Sequence, residues 1–180
     1  MKQIKLIKAI LVVSFLVVLT GCGTIIVAPT IVPDITEQSS LSLFGAIIQL
    51  ENIEKKDQDK LLFSIGPATM YGNPKDWTGT FIAALDKELT KRGARVSGDA
   101  PVVIKVSMPE ITGRPSRGPL FVTVTAKVEI GKWSKTYTAE RGSVGAGFGP
   151  KQPTHRAASA AMGEVIKQLL MDQQFTALLL

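Results

Sequence analysis

The stretch LFVTVTAKVEIGKWSKTYTA, residues 120–139, decides the fold of this chain. In its first half apolar and polar side chains alternate, which is the period of a strand with one buried face. Gly131-Lys132 fits a two-residue type II′ turn, because glycine tolerates the positive φ of the first central position. The stretch therefore predicts a β-hairpin with one apolar face and one face rich in threonine. The predicted pairs are Ile130 with Trp133, Ala126 with Tyr137, Val124 with Ala139, Thr125 with Thr138, and Lys127 with Thr136.

Helical patterns lie on both sides of this hairpin. Asn73 is a suitable N-cap and Pro74 suits the first helical position, so a helix is predicted over residues 74–92. Gly93 is its expected terminator. A second helix is predicted to open at Pro153, with Thr154 as its cap. The apolar stripes of the two helices are Trp77, Phe81, Leu85 and Leu89 in the first, and Ala158, Ala161, Met162, Val165, Ile166, Leu169 and Leu170 in the second.

Other strands are expected before the hairpin. Residues 61–65 are predicted to form one strand, and residues 102–108 another that Pro109 ends or places at an edge. Residues 41–53 are ambiguous, because a core strand and an amphipathic helix both fit so short an apolar run. The predicted fold is α+β, a mainly antiparallel sheet of about four strands with two helices on one face, in the order strand, helix, three strands, helix.

The chain begins with a leader. Lys2, Lys5 and Lys8 precede an apolar run from Ala9 to Leu19, and small residues follow. This order is that of a secretory signal. The run is shorter than the about 20 residues that a transmembrane helix needs. We therefore expect residues 1–21 to be a signal peptide.

The leader ends in Leu19-Thr20-Gly21-Cys22, which resembles the lipobox of bacterial lipoproteins. The resemblance implies that a diacylglycerol is attached to the Cys22 sulfur, that the leader is cut before it, and that the new amine is acylated, for example with palmitate. Since Cys22 is the single cysteine, the mature protein then has no free thiol. In such lipoproteins an aspartate directly after the cysteine favours retention at the inner membrane. This chain has Gly23 at that position, so the resemblance implies anchoring at the periplasmic face of the outer membrane.

The mature chain is expected to divide into two parts. Residues 22–40 contain Pro29 and Pro33 and read as a lipidated tether, although Ile25-Ile26-Val27 is apolar and suits either a short edge strand or contact with the membrane or the domain. Residues 41–180 are expected to form one periplasmic domain.

Few residues in the sequence suggest a catalytic site. His155 is the one histidine, and at the start of a helix it is expected on the surface. Ser143 lacks the G-x-S-x-G pattern, because Arg141 stands where the first glycine belongs. Residues 145–149 read G-x-G-x-G rather than G-x-G-x-x-G, which favours a plain connector over a nucleotide loop. We expect no enzyme, no cofactor and no metal site.

Charge excludes one class of partner and suggests another. The net charge is +6, but without the three leader lysines 18 basic residues face 15 acidic ones, a net of +3 that does not predict nucleic-acid binding. Arg114 and Arg117 flank Pro115-Ser116 in a predicted loop. They are candidate contacts for an anion or an acidic partner, with ordinary surface charge as the alternative.

Two further segments suggest a family. FIAALDKELTKRGARV, residues 81–96, followed by DAPVVIKVSM, residues 99–108, resembles the YajG-like group of small envelope lipoproteins and the auxiliary lipoproteins of ABC-type transport systems. The likeness covers about residues 61–170. It implies an accessory or binding component of an envelope assembly or transport system, held to the membrane by its N-terminal lipid, with another envelope protein or a lipid as partner. A periplasmic carrier or sensor of lipid or small ligand is the alternative, and an envelope hydrolase is the weakest candidate.

Overall fold

The structure, a computed structural model, describes residues 24–26, 42–65, 68–144 and 151–180. The expected signal peptide, Cys22 and most of the expected tether lie outside these residues. The described strands are β1 (Thr24–Ile26), β2 (Ile47–Asn52), β3 (Lys60–Ile65), β4 (Ala68–Gly72), β5 (Arg95–Val96), β6 (Val102–Pro115), β7 (Pro119–Ile130) and β8 (Trp133–Val144). The described helices are α1 (Pro74–Lys91), α2 (Lys151–Met171) and α3 (Gln173–Ala177).

The strands form two sheets. One has five strands in the order β5-β2-β6-β7-β8, and the other has three in the order β1-β4-β3. β6, β7 and β8 are antiparallel, but β2 is parallel to both β5 and β6. A parallel neighbour needs a long crossover, and here the chain between β2 and β6 supplies β3, β4, α1 and β5. The α+β class is confirmed, whereas the expected single sheet of about four strands matches only roughly.

The predicted hairpin is confirmed in register. Ile130 pairs with Trp133, and the four other predicted pairs occur as well. Gly131 has φ of 57° and Lys132 has no positive φ, which agrees with a type II′ turn. On the polar face the hydroxyl oxygens of Thr125 and Thr138 lie 3.1 Å apart and share a hydrogen bond.

The ambiguous segment contains a strand. β2 lies between β5 and β6, and pairing with these two distant segments decides against a helix. Leu43 and Ile48 are fully buried, whereas Phe44 is 90% exposed. Phe44 lies in a tight turn, since the N–H of Ala46 donates to the carbonyl of Leu43 and Gly45 has φ of 91°.

Three strands differ from expectation. β4 and β5 are not predicted by the sequence pattern, and β6 continues past Pro109 to Pro115. Between Ser107 and Glu110 the register with β7 shifts, so a bulge accommodates Pro109, which has no N–H to donate to the ladder. The loop predicted to hold Arg114 and Arg117 is therefore reduced to a turn at residues 116–118.

Helices α1 and α2 cover the face of the five-stranded sheet that bears the buried side chains. α1 begins as predicted, because Asn73 Oδ1 accepts the backbone N–H of Lys75 at 2.9 Å, and Gly93 follows the helix with φ of 91°. All predicted stripe residues of both helices are buried. The predicted cap at Thr154 is wrong, since α2 starts at Lys151 and Thr154 is buried inside it.

Candidate functional site

The turn between β6 and β7 lies at one end of the five-stranded sheet, and the turn at Gly131-Lys132 lies at the other. We call the first the basic end, defined by Arg114, Arg117, Arg141, Lys151 and Arg156. We call the second the hairpin end; it also includes Phe44, because β2 starts beside the first residues of β6.

The structure brings Arg114 to the outer, polar face of the basic end. Its Nη2 donates to Glu140 Oε1 at 2.9 Å, and its guanidinium lies 4.6 Å from the centre of the Phe121 ring. Phe121 packs against Gly142, where a Cβ would come within 2.8 Å of the ring. Arg114 is therefore an oriented guanidinium whose charge is offset by one carboxylate.

Arg117 is placed differently. It lies exposed in the turn, and among the residues that the structure describes it has no carboxylate or hydrogen-bond partner. Its five N–H donors are open to an anion approaching the end of the sheet. The structure thus puts both predicted arginines at one end of the molecule, with Arg117 the more available of the two.

Three more cations lie at this end. Arg141 is near the end of β8, and Lys151 and Arg156 are near the start of α2, which runs antiparallel to β8. Arg141 Nη2 forms an ion pair with Glu164 Oε2 at 2.6 Å, which joins the end of β8 to the second half of α2. Lys151 and Arg156 are exposed in the first two turns of that helix. The five cations of the basic end thus have two carboxylate partners, Glu140 and Glu164, on the described residues.

The chain also enters the domain at this end. β3 runs in the same direction as β6, since Lys60 lies near Glu110 and the Phe63 ring lies against Gly113. β1 is antiparallel to β3 through β4, so β1 begins where β3 ends. Thr24 is therefore at the same end of the molecule as Arg117. Of the two alternatives for the apolar Ile25-Ile26-Val27, the structure has the short edge strand at Ile25 and Ile26, which β4 pairs in parallel.

A polar cluster that sequence reasoning missed lies along the edge strand β8. Asp172 Oδ2 accepts hydrogen bonds from Lys135 Nζ at 2.6 Å and from the Tyr137 hydroxyl at 2.7 Å. Its Oδ1 caps α3 by accepting the N–H groups of Gln174 and Phe175. In the chain, 37 residues separate Lys135 from Asp172.

The hydrogen bonds of this cluster keep Asp172 charged and Tyr137 neutral. Burial opposes the charge of Asp172, but the hydrogen bonds from Lys135, Tyr137 and the α3 backbone lower its pKa to about 2. Burial and the same carboxylate raise the pKa of Tyr137. The hydroxyl thus stays protonated and donates. This geometry joins α3 to the sheet, and it borders an open groove of about 860 Å³ between β8 and α2.

The remaining residues considered for catalysis are His155 in the first turns of α2 and Ser143 near the end of β8. His155 is buried rather than on the surface, and burial, then the charge of Lys151, lower its pKa. Ser143 is near the end of β8, paired with Leu120. Residues 145–150, the glycine-rich connector, lie outside the described part of the chain. Within that part no cluster of His, Cys, Asp or Glu is placed to hold a metal.

None of the described helices is long and apolar enough to cross a membrane.

Comparison with known proteins identifies a fold. No protein-family model matches the chain, and no curated protein matches it significantly. Among solved structures, protein XCC0632 from Xanthomonas campestris, of the DUF330 family, is similar with a TM-score of 0.55 at 13% identity, covering 85% of this chain and 96% of that one. The chain therefore has an α+β fold that it shares with a DUF330 protein.

A second similar structure is a "putative lipoprotein" from Caulobacter crescentus, with a TM-score of 0.43 at 11% identity, covering 72% of this chain and 88% of that one.

Proposed function

We propose that this chain is an outer-membrane lipoprotein, anchored through Cys22, whose domain is a non-catalytic accessory or binding component of an envelope assembly or transport system. The main support is the lipobox-like Leu19–Cys22 motif after a charged and apolar leader, followed two residues later by β1. A strand so close to the cysteine joins the anchor to the folded domain through β4.

The domain offers a contact for a protein partner at the hairpin end. Phe44 is 90% exposed, and its turn is fixed because the N–H of Leu43 donates to the carbonyl of Arg92 at 2.8 Å. An aromatic side chain presented by a rigid turn is a common anchor in protein interfaces, since little conformational entropy is lost on binding. Ile47, 40% exposed, lies three residues away and extends this apolar contact.

The proposal is tested by fractionating cells that express the natural chain or Cys22→Ser. The natural chain is expected in the outer-membrane fraction with incorporated palmitate. Cys22→Ser is expected to keep its leader and to incorporate none. Processing of Cys22→Ser to the same mature length, with the same membrane fraction, would rule out lipid anchoring.

A carrier of lipid or small ligand is the second candidate, because the groove between β8 and α2 is large enough for a small molecule. A carrier would have to bind its ligand in this groove, because the space between the helices and the sheet is occupied by fully buried side chains such as Trp77, Phe81 and Met162. Native mass spectrometry of the purified protein separates the candidates. A co-purified ligand of constant mass supports the carrier, and a stoichiometric protein partner supports the accessory component.

A further inference from the structure

We propose that the basic end of the domain lies against the bilayer and contacts anionic phospholipid headgroups, while the hairpin end points away from the membrane. The inference rests on the proposed lipidation of Cys22 and adds an orientation and a membrane-contact surface to it.

The short chain between Cys22 and β1 limits how far the domain can lie from the membrane. Two peptide steps separate Cys22 from Thr24, and an extended chain of two residues spans at most about 7 Å. Thr24 is already hydrogen-bonded into the sheet opposite Thr69. An acyl chain on Cys22 therefore holds the start of β1, and with it the basic end, at the membrane surface.

The basic end has an excess of positive charge. Among the residues that the structure describes, the five cations of the basic end exceed their two carboxylate partners by three. Arg117 pairs with no carboxylate on the described part of the chain, and its guanidinium can donate two parallel hydrogen bonds to a phosphate. A bilayer with anionic lipids has a negative surface potential that attracts each cation brought close to it.

The basic end also has an exposed apolar side chain. Val144 is 72% exposed at the last position of β8, where it pairs with Pro119 beside the turn. Water is a poor environment for it, whereas the boundary between headgroups and acyl chains is a favourable one. Cations around an exposed apolar residue suit a membrane surface better than a soluble anion.

The orientation has a consequence for partners. β7 has 12 residues and is about 40 Å long, so the hairpin end with Phe44 is held well clear of the headgroups. A partner can then reach Phe44 without competing with the membrane.

The test uses the full lipidated protein in vesicles of phosphatidylethanolamine and phosphatidylglycerol. Ser116→Cys and Ser134→Cys place matched fluorescent labels in exposed positions at the two ends. Because the natural cysteine is acylated, the new thiol is the single labelling site. We expect a headgroup-nitroxide lipid to quench the label at residue 116 several-fold more than the label at residue 134. Equal quenching, or stronger quenching at 134, would overturn the orientation.

The charge contribution is tested in the Ser116→Cys background. Arg117→Glu is expected to reduce quenching at residue 116, and so is replacement of phosphatidylglycerol by phosphatidylcholine. Lys132→Glu, an equal charge change at the hairpin end, is expected to leave it unchanged. If Arg117→Glu has no effect, headgroup contact by this arginine is refuted. The mass of the purified protein separately reports acylation, so a missing acyl chain would count against the proposed function.

Discussion

Asp172 shows how a single carboxylate joins two parts of the fold. Its two oxygens have different partners, one set on β8 and the other at the start of α3. The side chain is nearly buried, so its hydrogen bonds are poorly replaced by water. The cluster therefore stabilises the docking of the C-terminal residues, including the fully buried Phe175.

Asp172→Asn is predicted to lower the free energy of unfolding by about 1–2 kcal/mol at pH 7, because the amide keeps the cap but loses the ionic attraction to Lys135. The folded-state pKa of about 2 is below that of an unfolded aspartate. The stabilisation is thus present above about pH 4 and lost as the pH falls from 4 to 2. Urea denaturation of both proteins across this range measures it. Asp99→Asn, in an exposed loop, is the control; an equal loss there would contradict the argument.

Gly113 is a second position where one residue decides local packing. A Cβ there would lie 1.9 Å from Cδ1 of the buried Phe63 ring, so the three-stranded sheet would have to move away from β6. Gly113→Ala is predicted to cost about 1–3 kcal/mol, measured by thermal or urea unfolding. Gly98→Ala, with open space around its Cα, is the matched control. Unchanged stability of Gly113→Ala would show that β3 does not pack there.

At the scale of elements, the start of α1 depends on one side chain. Asn73→Ala leaves two backbone N–H groups without their acceptor and is predicted to cost about 1 kcal/mol. Asn73→Ser, which restores a capping oxygen, is predicted to recover most of this loss. Chemical denaturation of the three proteins compares them, and equal stability of all three would show that the cap is unimportant.

The elements that the sequence predicts well are those decided by neighbours in the chain. The β7–β8 hairpin and α1 have turn, cap and periodicity within one short segment, so register and bounds follow from local rules. β2 becomes a strand through its non-local partners β5 and β6, and β4 through β3 and β1. No local sequence pattern predicts pairing between strands that are distant in the chain.

The site divides in the same way. Arg114 and Arg117 are recognisable because they flank a turn, but their position near the start of β1 depends on how the second sheet packs. The Lys135–Tyr137–Asp172 cluster combines residues from a strand and from a helix cap far apart in the chain. The sequence shows that Lys135 lies on the apolar face of a strand, but it does not show that Asp172 is the partner of this lysine.

At the scale of the whole molecule, the two ends of the sheet are predicted to have different partners, the membrane at the basic end and an envelope protein at the hairpin end. Phe44→Ala is expected to reduce crosslinking to an envelope partner at least several-fold while leaving stability unchanged, because its side chain has few neighbours to lose. Leu61→Ala, another exposed apolar residue, is the control. Crosslinking in intact cells followed by mass spectrometry measures the effect, and equal capture by Phe44→Ala would exclude the hairpin end as the contact.

Both the proposed anchoring and the proposed orientation require an acylated N-terminus directly before β1. The most direct measurement is mass spectrometry of the N-terminal peptide from protein purified out of membranes. We predict a peptide that begins at Cys22 and bears a diacylglycerol on its sulfur and an acyl chain on its amine. A peptide that retains the leader, or that has an unmodified Cys22 thiol, would contradict the account.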